Sequence, residues 1–266
     1  MRDPVVIGIL NATPDSFSDG GIYFDRESGL AHAAEMTRAG ASIIDVGAEA
    51  SGPGAKPLTY DEERSRLASI LPALCSEYRV SIDTYKAAIA AYALECGAEY
   101  VNDISALRAD AAMVDVLVQF RAKVILMHSK ESGAHPHATR NGRQPGDIVE
   151  NIKRFLSERI EFALRHGIAA DNIILDPGMG AFISTDHADS WEVLRRLTEL
   201  VNYLSSMPVL IGVSRKGFLG GQLAERDPIS QFAALEACRR GATYIRTHNP
   251  KMFCQFFEAA KLLSSQ

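Results

Sequence analysis

Three features are scarce in this 266-residue chain: excess positive charge, closely spaced cysteines and long apolar runs. Acidic residues outnumber basic ones by 33 to 28, and the net charge of −5 argues against a nucleic-acid partner held by a general basic field. The longest uninterrupted apolar run, residues 87–94, is far shorter than the roughly 20 residues that a membrane span requires. We therefore predict neither a nucleic-acid nor a membrane partner.

The cysteines are few and far apart: they are Cys75, Cys96, Cys238 and Cys254, and no Cys-x-x-Cys motif occurs. This usage is typical of reduced thiols that fill the core of an intracellular protein. The chain also enters a strand-like apolar run at residue 5, which leaves no room for a signal peptide. Both observations predict a cytoplasmic protein.

Composition and length together indicate one domain. Hydrophobic residues make up 47% and charged residues 23% of the chain, which is ordinary for a globular protein. No linker, low-complexity segment or shift in composition divides the sequence. A single α/β barrel takes about 250 residues, so residues 1–266 are predicted to form one domain.

Short apolar runs alternate with amphipathic segments along the whole chain. The predicted strands cover residues 5–10, 42–46, 80–82, 100–102, 123–127, 172–175, 208–213 and 243–246. The predicted helices cover residues 26–38, 61–77, 86–95, 109–119, 147–165, 189–204, 229–239 and 251–263. Eight strand–helix units favour a closed (β/α)8 TIM barrel, of the α/β class, over an open doubly wound sheet.

Every predicted strand ends in polar side chains. These residues are Asn11, Glu49, Asp83, Asn102, Asp103, His128, Asp176, Ser214, Arg215, Lys216, Arg246 and His248. In a barrel of parallel strands they converge on one face, where barrel enzymes carry their active sites. Acids and amides follow strands 1, 3, 4 and 6, whereas cations follow strands 7 and 8. This division suits a ligand with a hydrogen-bonding heterocycle at one end and an anion at the other.

The segments around these strand ends resemble a known family. Residues 8–21, GILNATPDSFSDGG, are similar to the N-terminal signature of dihydropteroate synthases. Further matching segments are residues 44–47, 81–84, 102–104, 126–128, 175–180, 213–216 and 246–248. They occur in the family's order and extend from the first predicted strand to the last.

The resemblance implies a reaction. The family condenses 6-hydroxymethyl-7,8-dihydropterin pyrophosphate with 4-aminobenzoate and releases pyrophosphate and 7,8-dihydropteroate, a step of folate synthesis. Magnesium assists the leaving group, and the reaction passes through a pterin cation that the amine attacks. The family is usually dimeric, so the resemblance also implies a homodimer, to which helix 251–263 is a candidate contributor.

The resemblance also implies roles for individual residues. Asp83, Asn102, Asp176 and Lys216 are expected to bind the pterin, and Asn11 to ligate magnesium. Arg246 and His248 are expected to hold the leaving pyrophosphate; together with Asp83 and Lys216 they form the predicted catalytic set. Four further residues are predicted to bind substrate: Phe17, Ser51, Phe182 and Gly217.

Three segments depart from the family's pattern. The second loop of typical members reads Gly-Glu-Ser-Thr-Arg-Pro-Gly, and here Gly52 replaces the arginine while Ser51 keeps a hydroxyl. After strand 6, Ala181 replaces a phenylalanine and a lysine is missing; Gly217 replaces the serine after the catalytic lysine. In typical members the missing arginine contacts the leaving pyrophosphate, and the other changes lie on the 4-aminobenzoate side. The chain also resembles the plasmid-borne synthases that sulfonamides do not inhibit. Because sulfonamides mimic 4-aminobenzoate, the resemblance implies a loss of sensitivity to them.

Structural roles compete with these assignments. Asp83 could cap the next helix, Asn11 could stabilise a turn, and Lys216 could be a solvated lysine. His128 could be a packed core histidine, and His135 and His137 could be loop residues that bind no metal. At the level of the whole protein, the alternatives are a pterin-binding paralogue that uses another amine or is inactive, and a pterin-dependent methyltransferase.

Overall fold

The computed structural model describes residues 2–13, 26–51, 54–131, 142, 144–204 and 207–264. Its strands are β1 (Val5–Asn11), β2 (Ile43–Gly47), β3 (Val80–Asp83), β4 (Tyr100–Asp103), β5 (Lys123–Met127), β6 (Ile173–Asp176), β7 (Leu210–Ile211) and β8 (Tyr244–Thr247). They pair in parallel in the order β6-β5-β4-β3-β2-β1-β8-β7. A parallel bridge between Leu175 and Val209 joins the two ends. The predicted TIM barrel is confirmed.

Helices connect the strands on the outside of the barrel. They are α1 (Arg26–Arg38), α2 (Tyr60–Ala68), α3 (Leu71–Glu77), α4 (Ala87–Glu95), α5 (Met113–Phe120), α6 (Ile148–Arg165), α7 (His187–Arg195), α8 (Leu197–Tyr203), α9 (Arg226–Arg239) and α10 (Pro250–Ser264). Within the described ranges, no helix has both the length and the apolar character needed to cross a bilayer.

Two predicted helices are each divided in the structure. The prediction for 61–77 becomes α2 and α3, because Pro72 lacks the N–H that a continuous helix would need and stands instead in the first turn of α3. The prediction for 189–204 becomes α7 and α8, which meet at Arg196 (φ −101°, ψ 15°). The side chain of Arg196 ties this junction to Asp147, the N-cap of α6.

The barrel interior has an apolar floor. The floor residues are Ile7, Ile43, Tyr100, Ile125, Ile174 and Leu210, contributed by six different strands. Because side chains along a strand alternate between its two faces, a residue two positions after a floor residue also points inward. This rule places Asp45, Asn102 and Asp176 inside the barrel, one layer above the floor.

Helix α10 packs mainly on the barrel. Phe253 and Phe257 are buried, with ring centroids 5.9 Å apart, whereas Phe256 is 36% exposed. Two of the three phenylalanines of this helix, the candidate contributor to a dimer, therefore belong to the core. Exposed apolar side chains also occur on the neighbouring α9, at Ile229 and Phe232.

Candidate active site

A cavity of about 290 Å³ opens at the carboxyl ends of the strands. The predicted site residues that line it are Asn11, Ser51, Asp83, Phe182, Lys216, Arg246 and His248. Phe17 and Gly52, together with His135 and His137, lie outside the described residues. The convergence of side chains from β1, β3 and β8 follows from the barrel closure and the inward alternation of each strand.

Arg246 links the buried carboxylate of Asp45 to the partly buried carboxylate of Asp83. Its Nε donates to Asp45 Oδ2 and its Nη2 donates to Asp83 Oδ2, at 2.6 Å in each case. Asn102 Nδ2 also donates to Asp45 Oδ2, at 3.1 Å. Burial raises the pKa of Asp83 to about 7, against the opposing effect of the Arg246 charge. Asp83 is therefore close to the balance between its neutral and charged forms at neutral pH.

Asp176 and Lys216 form the second polar cluster. Asp176 Oδ1 accepts a hydrogen bond from Gly178 N at 2.7 Å, and burial raises its pKa to about 6 although Lys216 acts against this. Lys216 Nζ donates to Met179 O at 3.0 Å and lies 4.7 Å from the centroid of the Phe182 ring. Burial lowers the pKa of Lys216 to about 8, with Asp176 opposing. Groups whose pKa values burial shifts toward neutral pH are typical of a site that exchanges hydrogen bonds or protons with a ligand.

His248 lies on the β7–β8 side of the cavity. Its Nδ1 is 2.9 Å from Ser214 Oγ, and its backbone N–H donates to the same oxygen at 3.1 Å. Burial and the charges of Arg246 and Arg215 lower the pKa of His248 to about 3. At neutral pH His248 is therefore an uncharged hydrogen-bonding group and not a cation, which refines the charge division expected from the sequence.

Asn11 is the predicted magnesium ligand. Its side chain is exposed at the cavity, and within the described ranges it makes no hydrogen bond. The same ranges contain no cluster of three or more His, Cys, Asp or Glu residues arranged to hold a metal. Magnesium is commonly bound through few protein oxygens, several waters and substrate phosphates. Asn11 fits such a shared site and does not fit a metal held by protein alone.

A network that the sequence did not reveal supports the loop after β2. Lys86 Nζ donates to Glu49 Oε2 and to Glu63 Oε2, at 2.5 Å in each case. Glu49 Oε2 also accepts from Leu58 N at 2.6 Å, and Thr84 Oγ1 donates to Glu63 Oε1 at 3.0 Å. The network links the cavity wall at Glu49 to α2. The one sequence signal was Glu63, an acidic residue that falls on the buried face of a helix.

Asp45 was also missed as a site residue. It is fully buried, and its Oδ1 is buried without a hydrogen-bond partner in the described part of the chain. Its signal was a charged residue in the middle of an apolar strand, where an unpaired carboxylate would be costly. Its partners, Asn102 and Arg246, come from distant parts of the sequence.

His128 and the glycine after Pro177 have structural roles. His128 points away from the cavity, with its ring edge-on to Phe155 at 4.9 Å and its Nδ1 3.2 Å from Pro177 O. Gly178 has a φ of +69°, and a Cβ at this position would lie 2.2 Å from His128 O. Both observations favour the packing interpretation of this strand end.

Gly178→Ala is therefore expected to destabilise the fold by more than about 3 kcal/mol, because backbone strain and a backbone clash add. Urea unfolding of the purified variant would measure the loss. Gly217→Ala is the matched control: a Cβ there meets nothing within 4 Å, so its unfolding free energy should stay near the wild-type value. Equal stability of the two variants would contradict this account of Gly178.

Asp176→Asn is expected to gain stability relative to wild type as the pH rises. Burial raises the pKa of Asp176 from its ordinary value of 3.8 to about 6, so the folded protein holds this proton more tightly than the unfolded chain. The stabilisation by the proton is complete below pH 3.8 and is lost as the pH rises through about 6, whereas asparagine stays neutral.

The difference in unfolding free energy should grow from near zero to at most about 3 kcal/mol. Urea titrations of the unliganded protein across this range would measure it. Asp171→Asn, which changes an exposed carboxylate next to β6, should follow wild type at every pH. A difference between Asp176→Asn and wild type that does not vary with pH would contradict the prediction.

Comparisons with known proteins agree on one family. The family model of pterin binding enzymes matches residues 7–248. The type-2 dihydropteroate synthase of Escherichia coli is 40% identical over 253 residues, which are 93% of this chain and 91% of the relative. The chain belongs to the dihydropteroate synthase family.

Other relatives support the same assignment. The type-1 dihydropteroate synthase of Pseudomonas aeruginosa is 39% identical over 92% of this chain and 88% of the relative. The structure of Xanthomonas albilineans dihydropteroate synthase with 4-aminobenzoic acid superposes with a TM-score of 0.89 at 32% identity, covering 99% of this chain and 94% of that one. The fold and family expected from the segment matches are confirmed.

The individual site roles expected from the dihydropteroate synthase family stay predictions. The structure brings Asp83, Lys216, Arg246 and His248 around one cavity, and Asn102 joins this group through Asp45. Gly217 follows Lys216 on a short 3-10 turn, and Arg215 beside it adopts φ +59°. A non-glycine residue held in this region next to Lys216 is the kind of local strain found at functional sites.

Proposed function

We propose that this protein is a dihydropteroate synthase that condenses 6-hydroxymethyl-7,8-dihydropterin pyrophosphate with 4-aminobenzoate. The observation that carries the proposal is the division of one cavity between two chemistries. Asp83 lines the cavity and Asp176 lies beside it, with Oδ2 4.0 Å from the position that a Cβ would take on the lining Gly212. Both provide acceptors, and burial raises their pKa values to about 7 and about 6. Ser214, Lys216 and His248 line the same cavity and provide donors.

The acidic side suits a pterin. A 2-amino-4-oxopterin presents an edge rich in N–H groups, which can donate to Asp176 and to Asp83. Lys216 can donate to the ring oxygen and nitrogen, because Met179 O, its acceptor at 3.0 Å, uses only one of the three N–H groups of the ammonium. Carboxylates that are shielded from water are costly when they have no hydrogen-bond donors. A ligand that supplies these donors removes the cost, and this favours its binding. Their negative charge also favours a developing pterin cation.

The bond changes follow from this placement. The C–O bond between the pterin methylene and the pyrophosphate breaks, and the pyrophosphate leaves with the electron pair. The amine of 4-aminobenzoate then forms a C–N bond at the methylene carbon and loses a proton. Excluding water from the cavity protects the cation from hydrolysis.

The leaving group would lie toward Asn11, Arg246 and His248. The Nη1 of Arg246 makes no hydrogen bond within the described ranges, so it is free to donate to an oxyanion. A magnesium ion bound with the pyrophosphate would neutralise part of its charge and make it a better leaving group. Asn11 would contribute one ligand oxygen, and neutral His248 would donate one hydrogen bond.

The 4-aminobenzoate subsite is the altered half. Phe182 and Ser51 line the cavity, and Gly217 offers a backbone N–H next to Lys216. Ala181 and Ile183 stand where typical family members carry phenylalanine and lysine. We propose that these changes, with the replacement at Gly52, make the enzyme insensitive to sulfonamides.

Pyrophosphate release tests the proposal. Purified protein would be mixed with the pterin pyrophosphate, magnesium and 4-aminobenzoate, with and without a sulfonamide. Release that depends on both substrates is expected, and it should persist with the drug. If the drug blocks the release, the proposed synthase activity stands and the proposed insensitivity to sulfonamides is wrong.

The absence of release would overturn the synthase proposal. If the protein then still binds the pterin, the result would favour a paralogue that uses another amine or is inactive. Transfer of a methyl group from a methylated pterin would favour the methyltransferase alternative. A cytoplasmic location and a homodimer complete the proposal, and sedimentation of the purified protein would test the dimer.

A further inference from the structure

Two arginines lie together on the outside of the barrel, between the segment after β4 and helix α6. Arg108 donates through Nε to Ser105 O at 2.8 Å, and its guanidinium carbon lies 4.7 Å from the centroid of the Phe155 ring. Arg159 is one helical turn after Phe155, and its guanidinium carbon lies 4.1 Å from the centroid of Phe162. Because residues four apart are neighbours on a helix surface, both guanidinium groups occupy the same stretch of α6. We call Arg108 and Arg159 the arginine pair.

The pair has unused hydrogen-bond donors. Arg159 Nε and Nη2 are buried, and neither has a hydrogen-bond partner within the described ranges. No carboxylate of the same ranges forms an ion pair with Arg108 or with Arg159. Asp103 is near, but it accepts from Ser105 N, Ser105 Oγ and Leu107 N at 2.6–2.7 Å. Its oxygens therefore hold the loop and do not contact the pair.

Two like charges held together are costly, although the charge of the nearby Asp103 offsets part of this cost for both arginines. Burial lowers the pKa of both arginines, and the charge of Arg159 lowers that of Arg108 further. Stacking on phenylalanine covers the faces of the guanidinium groups but leaves the N–H groups at their edges. Planar forks with free edges are the groups that bind tetrahedral and planar oxyanions bidentately.

We propose that the arginine pair binds a multiply charged oxyanion, inorganic phosphate or a phosphate ester, between the β4–α5 segment and α6. The site is separate from the catalytic cavity because β4 alternates: Asn102 points inward to Asp45, whereas Asp103 points outward to the loop. Asp103 holds Ala106 and Leu107 at φ +50° and +64° in the loop that carries Arg108. A bound anion would therefore fasten the loop that follows Asn102.

Calorimetric titration with inorganic phosphate, at constant ionic strength set by chloride, tests the proposal. Arg159→Met and Arg108→Met are each expected to weaken one class of phosphate site at least tenfold. Arg165→Met removes an exposed arginine at the end of the same helix and should bind phosphate like wild type. Neither member of the pair lines the catalytic cavity, so phosphate bound there would be unaffected.

A stability measurement separates this site from a purely structural arginine. Without phosphate, Arg159→Met should be at least as stable as wild type, because it removes a half-buried cation that has no ion-pair partner within the described ranges. Added phosphate should raise the melting temperature of wild type and of Arg165→Met more than that of Arg159→Met. Wild-type phosphate affinity in both pair variants, or a stability loss in Arg159→Met that phosphate does not influence, would overturn the proposal.

A second titration with phenyl phosphate distinguishes an ester from the free ion. Tighter binding of phenyl phosphate than of inorganic phosphate, lost in Arg159→Met, would assign the site to a phosphate ester. The reverse order would assign it to the free ion. Pyrophosphate release without added phosphate should be unchanged in Arg159→Met, so the outcome here and the outcome for the synthase activity are independent.

Discussion

Replacing Lys216 with alanine is expected to lower kcat/KM by on the order of 100-fold or more, as for the loss of one preorganised donor. Lys216 is held between Met179 O and the Phe182 ring, and the charge of Asp176 acts on it. Alanine would remove the proposed donor to the pterin ring and also the positive charge that keeps the pKa of Asp176 from rising further. Both effects weaken the pterin half of the site.

The pH profile gives a second readout of the same substitution. Lys216 acts against the burial that raises the pKa of Asp176 to about 6. Without Lys216 the pKa of Asp176 rises further, so the acidic limb of kcat/KM should move to higher pH. Steady-state kinetics across this range would measure the shift.

Lys261→Ala is the matched control for Lys216→Ala. Lys261 pairs with the exposed Asp3 at 2.9 Å on the outside of the barrel, a contact of little energetic consequence. Its kinetics should equal those of wild type. Near wild-type kinetics in Lys216→Ala would remove Lys216 from the site.

Arg246→Met is expected to destabilise the unliganded protein by about 3–5 kcal/mol and to abolish measurable turnover. The guanidinium donates to Asp45 and Asp83 at 2.6 Å each, so its loss leaves the buried Asp45 and the partly buried Asp83 without this counter-charge. Removing one partner of a buried ion pair lowers the free energy of unfolding by more than the pair itself contributes, because the remaining charge stays desolvated.

The stability loss in Arg246→Met should depend on pH. Arg246 lowers the pKa of Asp83, which is nevertheless about 7, so the variant's Asp83 keeps its proton to still higher pH. Protonation removes the unpaired charge, and the loss should therefore be smaller at about pH 5.5 than at about pH 8. Urea unfolding at both values would measure it.

Arg239→Met provides the control for Arg246→Met. It removes an exposed arginine from α9 that pairs with Glu236 at 2.6 Å, and it should change stability little at either pH. If Arg246→Met behaves in the same way, Arg246 does not organise the two carboxylates.

The strand-end residues could be predicted because two simple rules locate them. The alternation along each strand and the common direction of parallel strands bring Asp83, Asp176 and Arg246 to one face. The division of the predicted helix 61–77 into α2 and α3 was harder to predict. The sequence shows Pro72, but a proline can either begin a new helix or bend a continuous one. Strand β7 covers only Leu210–Ile211, although residues 208–213 carry a longer apolar pattern.

The pairings within the site could not be predicted. Arg246 and Asp45 are 201 residues apart, and Lys86 and Glu49 are 37 apart. Their contacts depend on strand register and on the course of loops, which no local pattern encodes. A sequence therefore indicates which residues reach the face, whereas the choice of partner follows from the closed barrel.

The short strand β7 gives the barrel a seam. One bridge, Leu175–Val209, joins β6 to β7, whereas each of the other neighbouring pairs forms a ladder of at least two residue pairs. Asp176 follows Leu175 on one side of this seam, and Lys216 follows β7 on the other. A ligand that forms hydrogen bonds with both side chains would link β6 and β7, the two neighbouring strands that share the fewest backbone pairs. If the pterin binds to Asp176 and Lys216 as proposed, its binding should slow amide exchange near Leu175 and Val209, because the ligand would add a link that the backbone pairing lacks there.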